Sequence, residues 1–206
     1  TFTYTINGGS NLTATTTTGS SVTVPVNTAT PGTFTYALVS VRDGSSTTCS
    51  QLQTGSAVVT VNPLPTATIS GATAVCRDAA SPFITFTGSG GTAPYTFTFT
   101  VNGGSNQTAT TATGNSVTVA VNTSSPGTFT YALVSVRDGS STTCSNTATG
   151  SAAVTVNPLP TATISGTSAV CQNGTSPVIT FTGASGTAPY TFTYNVNGGT
   201  NQTVTT

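Results

Sequence analysis

Apolar side chains alternate with Thr or Ser along most of this chain. In the run YTFTFTV at residues 95–101, for example, every second residue is aromatic or aliphatic. A period of two is typical of a strand with one buried face. Between residues 63 and 157 the pattern predicts seven strands, at 66–70, 83–87, 95–101, 108–113, 116–121, 128–137 and 152–156. Seven short strands separated by turns favour an all-β fold, an antiparallel Ig-like sandwich of two sheets.

The predicted core consists of the apolar residues that share one face of these strands. The core residues are Tyr95, Phe97, Phe99, Val101, Val117, Val119, Val121, Phe129, Tyr131 and Leu133. A unit of this size buries roughly 60–68% of the surface that its unfolded chain exposes. That burial is enough for an independent hydrophobic core.

Turn residues interrupt the alternation where strands should end. Asn102-Gly103 lies between two alternating runs and predicts a tight hairpin with positive φ angles, and Asp138-Gly139 predicts another turn of that kind. Pro25, in the run SSVTVPV, lacks the amide hydrogen that a central strand needs. This run, and the matching run at 116–121, is therefore expected at a sheet edge or at a bulge.

A repeat of 95 residues organises the chain. The segment VNPLPTATISG occurs at 61–71 and again at 156–166, and the run PGTFTYALVSVRDGSSTTCS that begins at Pro31 recurs without change from Pro126. The repeat predicts three segments: 1–62 is the C-terminal part of one Ig-like unit, 63–157 is a complete unit, and 158–206 is the N-terminal part of the next. We expect the units to fold alike, in a linear array within a longer polymer.

The repeated proline segment falls at the predicted boundaries between units. Two prolines within three residues fix φ and bias their neighbours toward extended geometry, which predicts a short, semi-rigid joint. The leucine between them is expected to pack as a plug between neighbouring units. The joint residues are Pro63, Leu64, Pro65, Pro158, Leu159 and Pro160.

Charge is almost absent from the sequence. Only 3% of the residues are charged, three Arg and three Asp, and the net charge is zero. This balance removes the electrostatic basis for binding nucleic acid or an anionic membrane surface. No apolar run approaches the roughly 18 residues that span a bilayer. We expect no nucleic-acid partner and no membrane segment.

Catalytic and metal-binding sets are also missing from the pattern. There is no His, Lys or Glu, and each Asp stands beside an Arg, so the paired groups of general acid-base catalysis are absent. Calcium needs six to eight oxygen ligands, and zinc favours Cys and His clusters. The sequence therefore predicts no enzyme, no metal and no cofactor.

Two cysteines recur in each unit, which suits an oxidising compartment. A short spacing, from Cys49 to Cys76, alternates with a much longer one, from Cys76 to Cys144. If the run that follows Cys144 is the last strand, Cys144 lies at the far end of its unit from Cys171. We therefore favour a disulfide between Cys76 and Cys144, with a Cys144–Cys171 bridge across the joint as the alternative.

Hydroxyl and amide side chains offer sites for glycans. Masking is expected because an uncharged surface with an exposed edge strand invites lateral association of fibres. Three sequons follow the predicted hairpin at the same place in successive units, and the Thr-rich run after the second of them is a further candidate. The candidate sites are Asn11, Asn106, Asn122, Asn173, Asn201, Thr108, Thr110 and Thr111.

Several longer runs carry a resemblance to a known family. The run AVCRDAASPFITFTGSGGTAPYTFTFTVNGG, followed by TFTYALVSVRDGSSTTC and AVTVNPLP, resembles the PKD-like or Ig-like tandem repeats of large bacterial extracellular adhesin and filament proteins, as in gliding, type IX-secreting bacteria. The resemblance covers the whole chain. It implies an extracellular array of β-sandwiches whose cysteines are bridged within each unit. The chain departs from calcium-binding relatives because it lacks acidic clusters.

These observations predict a structural function. We expect a component of an extracellular, cell-surface filament or adhesin stalk, with neighbouring copies of the repeat, lateral fibre contacts and attached glycans as its partners. The alternative is an adhesin module whose turns bind a glycan or a surface. Glycan binding above background would favour the alternative, and regular fibres without ligand would favour the stalk.

Overall fold

The computed structural model describes residues 1–206 and contains strands but no helix, which confirms the predicted all-β class. Residues 1–62, the first segment, contain five strands. They are β1 (Phe2–Ile6), β2 (Leu12–Ala14), β3 (Gly32–Arg42), β4 (Ser50–Leu52) and β5 (Ser56–Val61). They form one antiparallel sheet in the order β2-β1-β3-β4, with β5 also paired to β3.

Residues 63–157, the middle segment, form two sheets. Their nine strands are β6 (Thr66–Ser70), β7 (Thr73–Cys76), β8 (Phe83–Ser89), β9 (Thr96–Val101), β10 (Gln107–Thr110), β11 (Ser116–Ala120), β12 (Gly127–Arg137), β13 (Ser145–Thr147) and β14 (Ser151–Asn157). One sheet has the order β10-β9-β12-β14-β7, with β13 also on β12, and the other has the order β11-β8-β6. We call this pair of sheets the middle sandwich.

The core of the middle sandwich lies between these two sheets. Strand β8 alternates buried and half-buried residues, and its Phe86 ring lies 5.7 Å from Phe97 and 4.8 Å from Phe99 of β9. Phe86 and Phe97 are fully buried. Because β8 and β9 belong to different sheets, these aromatic contacts hold the sheets face to face.

The seven predicted strands are all present, with small shifts at their ends. The strand at 66–70 has the predicted bounds, and the predicted edge strand is confirmed because β11 ends the three-stranded sheet. The sequence pattern missed β7 and β13. These strands have only four and three residues, too few to show an alternation. Strand β7 also pairs in parallel with β14, which lies at the other end of the unit's sequence.

Residues that are 95 positions apart pair in the same way. Phe2 pairs with Val41 as Phe97 pairs with Val136. In residues 158–206, the third segment, β15 (Thr161–Ser165) pairs with β16 (Thr180–Ala184), as β6 pairs with β8. Likewise β17 (Thr191–Tyr194) pairs with β18 (Gln202–Thr205), as β9 pairs with β10. The repeated sequence therefore specifies the same strand register each time.

The two outer segments each contain only part of the 95-residue repeat, 62 and 49 residues of it. Ile84 of β8 is fully buried, whereas Ile179, at the matching position of the next repeat, is 54% exposed. In the first segment an open apolar groove of about 610 Å³ is lined by Phe2, Tyr4 and Val22, among others. In the middle sandwich the corresponding face is covered by β6, β8 and β11. A closed core thus needs strands from both halves of one repeat.

Candidate functional site: the joint and the Asp138 turn

The polypeptide passes from the first segment into the middle sandwich through four residues. Strand β5 ends at Val61 and β6 begins at Thr66. Pro65 is fully buried, whereas Leu64 is 58% exposed. This corrects the prediction that Leu64 is a plug, and Leu159 is similarly exposed at 48%. The buried residue of the joint is the second proline, whose rigid ring occupies that position without a rotamer cost.

The middle sandwich holds this proline through its backbone. Asn146 of β13 donates its side-chain amide to the Pro65 carbonyl at 3.1 Å. Proline has no amide hydrogen, so this carbonyl is its one backbone hydrogen-bonding group. The short strand β13, which the sequence pattern missed, therefore positions the joint.

A hydrogen bond crosses the joint itself. The Asn62 side-chain amide donates a hydrogen bond to the Thr142 hydroxyl at 2.9 Å, although the two residues are 80 positions apart in the sequence. Thr142 lies in the turn that links β12 to β13, which we call the Asp138 turn (residues 138–144). The Thr142 hydroxyl is also 3.3 Å from Ser140 Oγ and 3.2 Å from Cys144 Sγ. The end of one segment thus rests on a defined turn of the next.

Asp138 organises this turn from a buried position. The carboxylate is 4% exposed and accepts hydrogen bonds from the Ser140 hydroxyl at 2.8 Å and from the Thr92 amide at 3.1 Å. Burial on its own raises the pKa of the Asp138 carboxyl, but these hydrogen bonds outweigh burial and hold the pKa below its ordinary value. The carboxylate is used structurally, to bind the turn to the loop that contains Thr92.

That loop carries the Gly-Thr-Ala-Pro-Tyr motif, residues 91–95. A Cβ on Gly91 would lie 2.7 Å from an Asp138 carboxylate oxygen, and a Cβ on Gly139 would lie 2.5 Å from Pro94 Cδ. The Tyr95 hydroxyl donates to the Gly91 carbonyl at 2.7 Å. The structure therefore brings together residues 91–95 and 136–144, which belong to two of the runs that carry the resemblance.

The two predicted turns differ in their backbone. Asn102 and Gly103 have φ of 50° and 69°, which confirms the predicted hairpin, and the Asn102 side-chain oxygen accepts from the Thr130 amide at 2.7 Å. Asp138-Gly139 does not form a turn of that kind. In the Asp138 turn the positive φ falls on Thr143, at 47°, because the Asp138 side chain closes the turn by bonding Ser140.

The structure contradicts the predicted Cys76–Cys144 disulfide. Cys76 ends β7 and pairs with Asn157, whereas Cys144 precedes β13 at the opposite end of β12. The 11 residues of β12 separate the two ends by about 35 Å, and a disulfide needs Cα atoms within about 7 Å. All four cysteines are free. The prediction failed because β7, which the sequence pattern missed, pairs with the end of β14 and places Cys76 beside Asn157, far from Cys144.

The alternative bridge between Cys144 and Cys171 is not formed either. Cys144 lies at the end of the middle sandwich that adjoins the first segment, and Cys171 lies in the third segment, which follows the other end. In the first segment, Cys49 holds the place of Cys144. A hydrogen bond from the Thr47 hydroxyl, aided by Ser45, lowers the pKa of the Cys49 thiol.

Most candidate glycan sites are on the surface. Asn106 is exposed between the Asn102 hairpin and β10, and Asn11 and Asn201 are exposed at the same place in the neighbouring segments. Asn122, Asn173, Thr108 and Thr110 are exposed as well, except that the Thr110 hydroxyl lies 3.0 Å from that of Thr96. The structure corrects the prediction of Thr111 as a glycan site. It is 2% exposed, and its hydroxyl accepts a hydrogen bond from the Tyr95 amide at 2.9 Å, so it cannot take a glycan in the folded unit.

Comparisons with known proteins find no matching family and a weak structural similarity. No family model matches the chain, and no curated protein matches it. A solved structure described as a Ca²⁺-stabilised adhesin that helps an Antarctic bacterium reach out and bind ice is similar at 19% identity, with a TM-score of 0.36. The match covers 65% of this chain and 34% of that chain, so this chain spans about a third of the adhesin's length.

No three His, Cys, Asp or Glu side chains lie close enough together to hold a metal ion. The structure also contains no helix that is long and apolar enough to cross a bilayer.

Proposed function

We propose that the chain is a structural component of an extracellular bacterial filament or adhesin stalk, built from tandem 95-residue β-sandwiches. The observation that carries the proposal is the contact between Asn62 and Thr142 across a four-residue proline joint. A joint that is both short and hydrogen-bonded restricts how successive units turn against each other. A chain of such units is long and stiff, as a stalk must be.

The repeated register supports the same proposal. Strand pairs at matching positions of the repeat agree residue for residue, so each unit presents the same ends to its neighbours. Identical units that meet at identical joints repeat one rotation and one translation, which generates a helix. We infer an axial spacing of roughly 35 to 45 Å for each unit, from strands of about 10 residues at 3.3 Å per residue plus their loops.

The way the polar groups are used supports a structural role in this proposal. The buried carboxylate of Asp138 is occupied by bonds to Ser140 and Thr92, and Arg77 and Asp78 form an exposed ion pair at 3.3 Å. No catalytic set converges on a cleft. In this proposal the partners of the chain are neighbouring units, attached glycans and, where glycans leave the edge strands open, other fibres.

Imaging of the full-length protein purified from its source tests this function. Electron micrographs should show long, thin rods with a regular axial period in the proposed range, without added ligand. Compact particles would contradict the stalk. Binding of the same sample to a glycan panel above the level of an unrelated β-sandwich would support the adhesin module instead.

Glycan masking is tested separately by intact mass. We expect a mass above that of the polypeptide, with modified peptides that contain Asn106 or the exposed Thr108 and Thr110. Thr111 serves as the internal control, because its buried hydroxyl should stay unmodified. A mass equal to that of the bare polypeptide would make lateral association of fibres the better account of the uncharged surface.

A further inference from the structure

Each repeat carries its two cysteines at opposite ends of the sandwich, and each of them lies beside a joint. Cys144 is in the Asp138 turn, which faces the unit before it. Cys76 pairs with Asn157, the residue that leads into the joint with the unit after it. Neither cysteine has a partner within its own unit. Each cysteine instead lies close to a joint between units.

The repeat places the Cys76-type cysteine of one unit against the Cys144-type cysteine of the next. Asn62 holds the same position in its repeat as Asn157, and Asn157 is the strand partner of Cys76. The Asn62 side chain bonds to Thr142, whose hydroxyl is 3.2 Å from Cys144 Sγ. A cysteine that pairs with Asn62, as Cys76 pairs with Asn157, would lie one strand spacing from Asn62. Asn62 in turn contacts Thr142, which lies beside Cys144.

The side-chain directions agree with this placement. Residues paired directly in a sheet point to the same face, so the Cys76 side chain shares the side of Asn157, away from the core residues Val75 and Val156. The Asn62 side chain points at the Asp138 turn of the next unit. A cysteine beside it on the same face points at that turn too. Cys144 is half-buried and Cys76 is exposed, so both sulfurs are accessible before a bridge forms.

We propose that successive units are joined by a disulfide across each joint, between the Cys76-type cysteine of one unit and the Cys144-type cysteine of the following unit. The inference rests on the proposed function, because it requires units in series. It pairs Cys76 with a cysteine in the unit that follows the middle sandwich, and Cys144 with one in the unit that precedes the first joint. No two of the four cysteines in residues 1–206 pair with each other.

The oxidation needs an external disulfide, such as an extracellular thiol oxidoreductase in its oxidised form. One cysteine thiolate attacks a sulfur of that disulfide and releases a thiol. The second cysteine then attacks the mixed disulfide and releases the other thiol. Each protein cysteine loses one proton and one electron, and the oxidant leaves as two thiols. Each sandwich is thereby bridged to both of its neighbours.

Peptide mapping of the full-length protein without reduction tests the pairing. The flanks identify each unit, because Cys76 is followed by RDAASPF and Cys171 by QNGTSPV, while Cys49 is followed by SQLQ and Cys144 by SNTA. An elastase-type digest should link the Cys76 peptide to a Cys144-type peptide of the following unit. A link between Cys76 and Cys144, or free thiols at both, would overturn the proposal.

A single substitution in the full-length protein makes the test directional. Cys144→Ser should free the Cys76-type thiol of the preceding unit, raising its maleimide labelling from near zero to near one label per site. Cys76 itself should stay unlabelled. Labelling of Cys76 would show a bridge within the unit and refute the proposal. Regular rods with free cysteines would refute the bridge alone, whereas compact particles would refute the stalk.

Discussion

At the scale of single residues, Asp138 shows how one charge is used in a chain that has few. Its copy in the first segment, Asp43, makes the same bond to the hydroxyl two residues later, at 2.8 Å, yet Asp43 is exposed. In the middle sandwich the loop at 91–95 covers Asp138, and residues 1–206 do not include the matching loop of the first repeat. Within these residues the same turn thus occurs once with this loop and once without it.

This pair predicts a pH dependence of stability. Because the folded-state pKa of Asp138 is lowered, its contribution is fully present above the ordinary Asp value of about 3.9 and is lost as the pH falls through the lowered folded value. Asp138→Asn should cost about 1–2 kcal/mol of unfolding free energy at pH 7 and flatten the stability curve below about pH 4. Urea unfolding, followed by near-UV circular dichroism, measures both effects.

The matched control in the 206-residue chain is Asp43→Asn, which alters the same turn outside the middle sandwich. It should leave the unfolding midpoint of the middle sandwich unchanged at every pH, because Asp43 lies outside that core. Equal effects of the two substitutions would contradict the structural role assigned to the covered carboxylate.

At the scale of strands, the alternation that predicts β8 and β9 also predicts which side chains carry the stability. Phe97 is fully buried between the sheets, whereas Phe83, at the start of β8, is 56% exposed. Phe97→Ala should cost about 3–5 kcal/mol, because it removes buried surface and leaves a cavity. Phe83→Ala should cost less than about 1 kcal/mol. Similar losses in denaturant unfolding would show that the sheets do not meet as described.

A close approach between strand β8 and Tyr95 gives a second prediction at this scale. A Cβ on Gly88 would lie 2.6 Å from the buried Tyr95 ring, and Gly183 stands in the same relation to Tyr190. Gly88→Ala should destabilise the sandwich by about 1–3 kcal/mol through overpacking. Within residues 1–206 nothing lies within 4 Å of a Cβ on Gly44, so Gly44→Ala in this 206-residue chain is the control and should leave the thermal midpoint of the middle sandwich unchanged. A tolerated Gly88→Ala would contradict the packing of Tyr95.

The sequence predicted the strands that their own residues specify, and it missed a strand whose place depends on a distant partner. Strands β9 and β12 are long enough for several apolar residues to recur at a period of two, so one buried face is visible in the sequence. Strand β7 has four residues, and a partner far along the chain determines its place. The position of Cys76 depended on that pairing, which is why the cysteine arrangement could not be predicted.

At the scale of the whole molecule, the site was predictable in part. The proline spacing located the joint, and the repeated motifs at 91–95 and 136–144 marked residues that the structure brings together. The cross-joint bond from Asn62 to Thr142 depends on how two folded units meet, and no local pattern encodes it. The exposure of Leu64 depends on that same geometry.

The central claim is that each joint is built in the same way and holds successive units in one orientation. The measurement that tests it most directly is the distribution of angles and axial distances between neighbouring units, in electron micrographs of the full-length native protein. The account predicts one narrow angle at every joint and one period in the range of roughly 35 to 45 Å. Units that swing through a broad range of angles would contradict it, even if every sandwich were correctly folded.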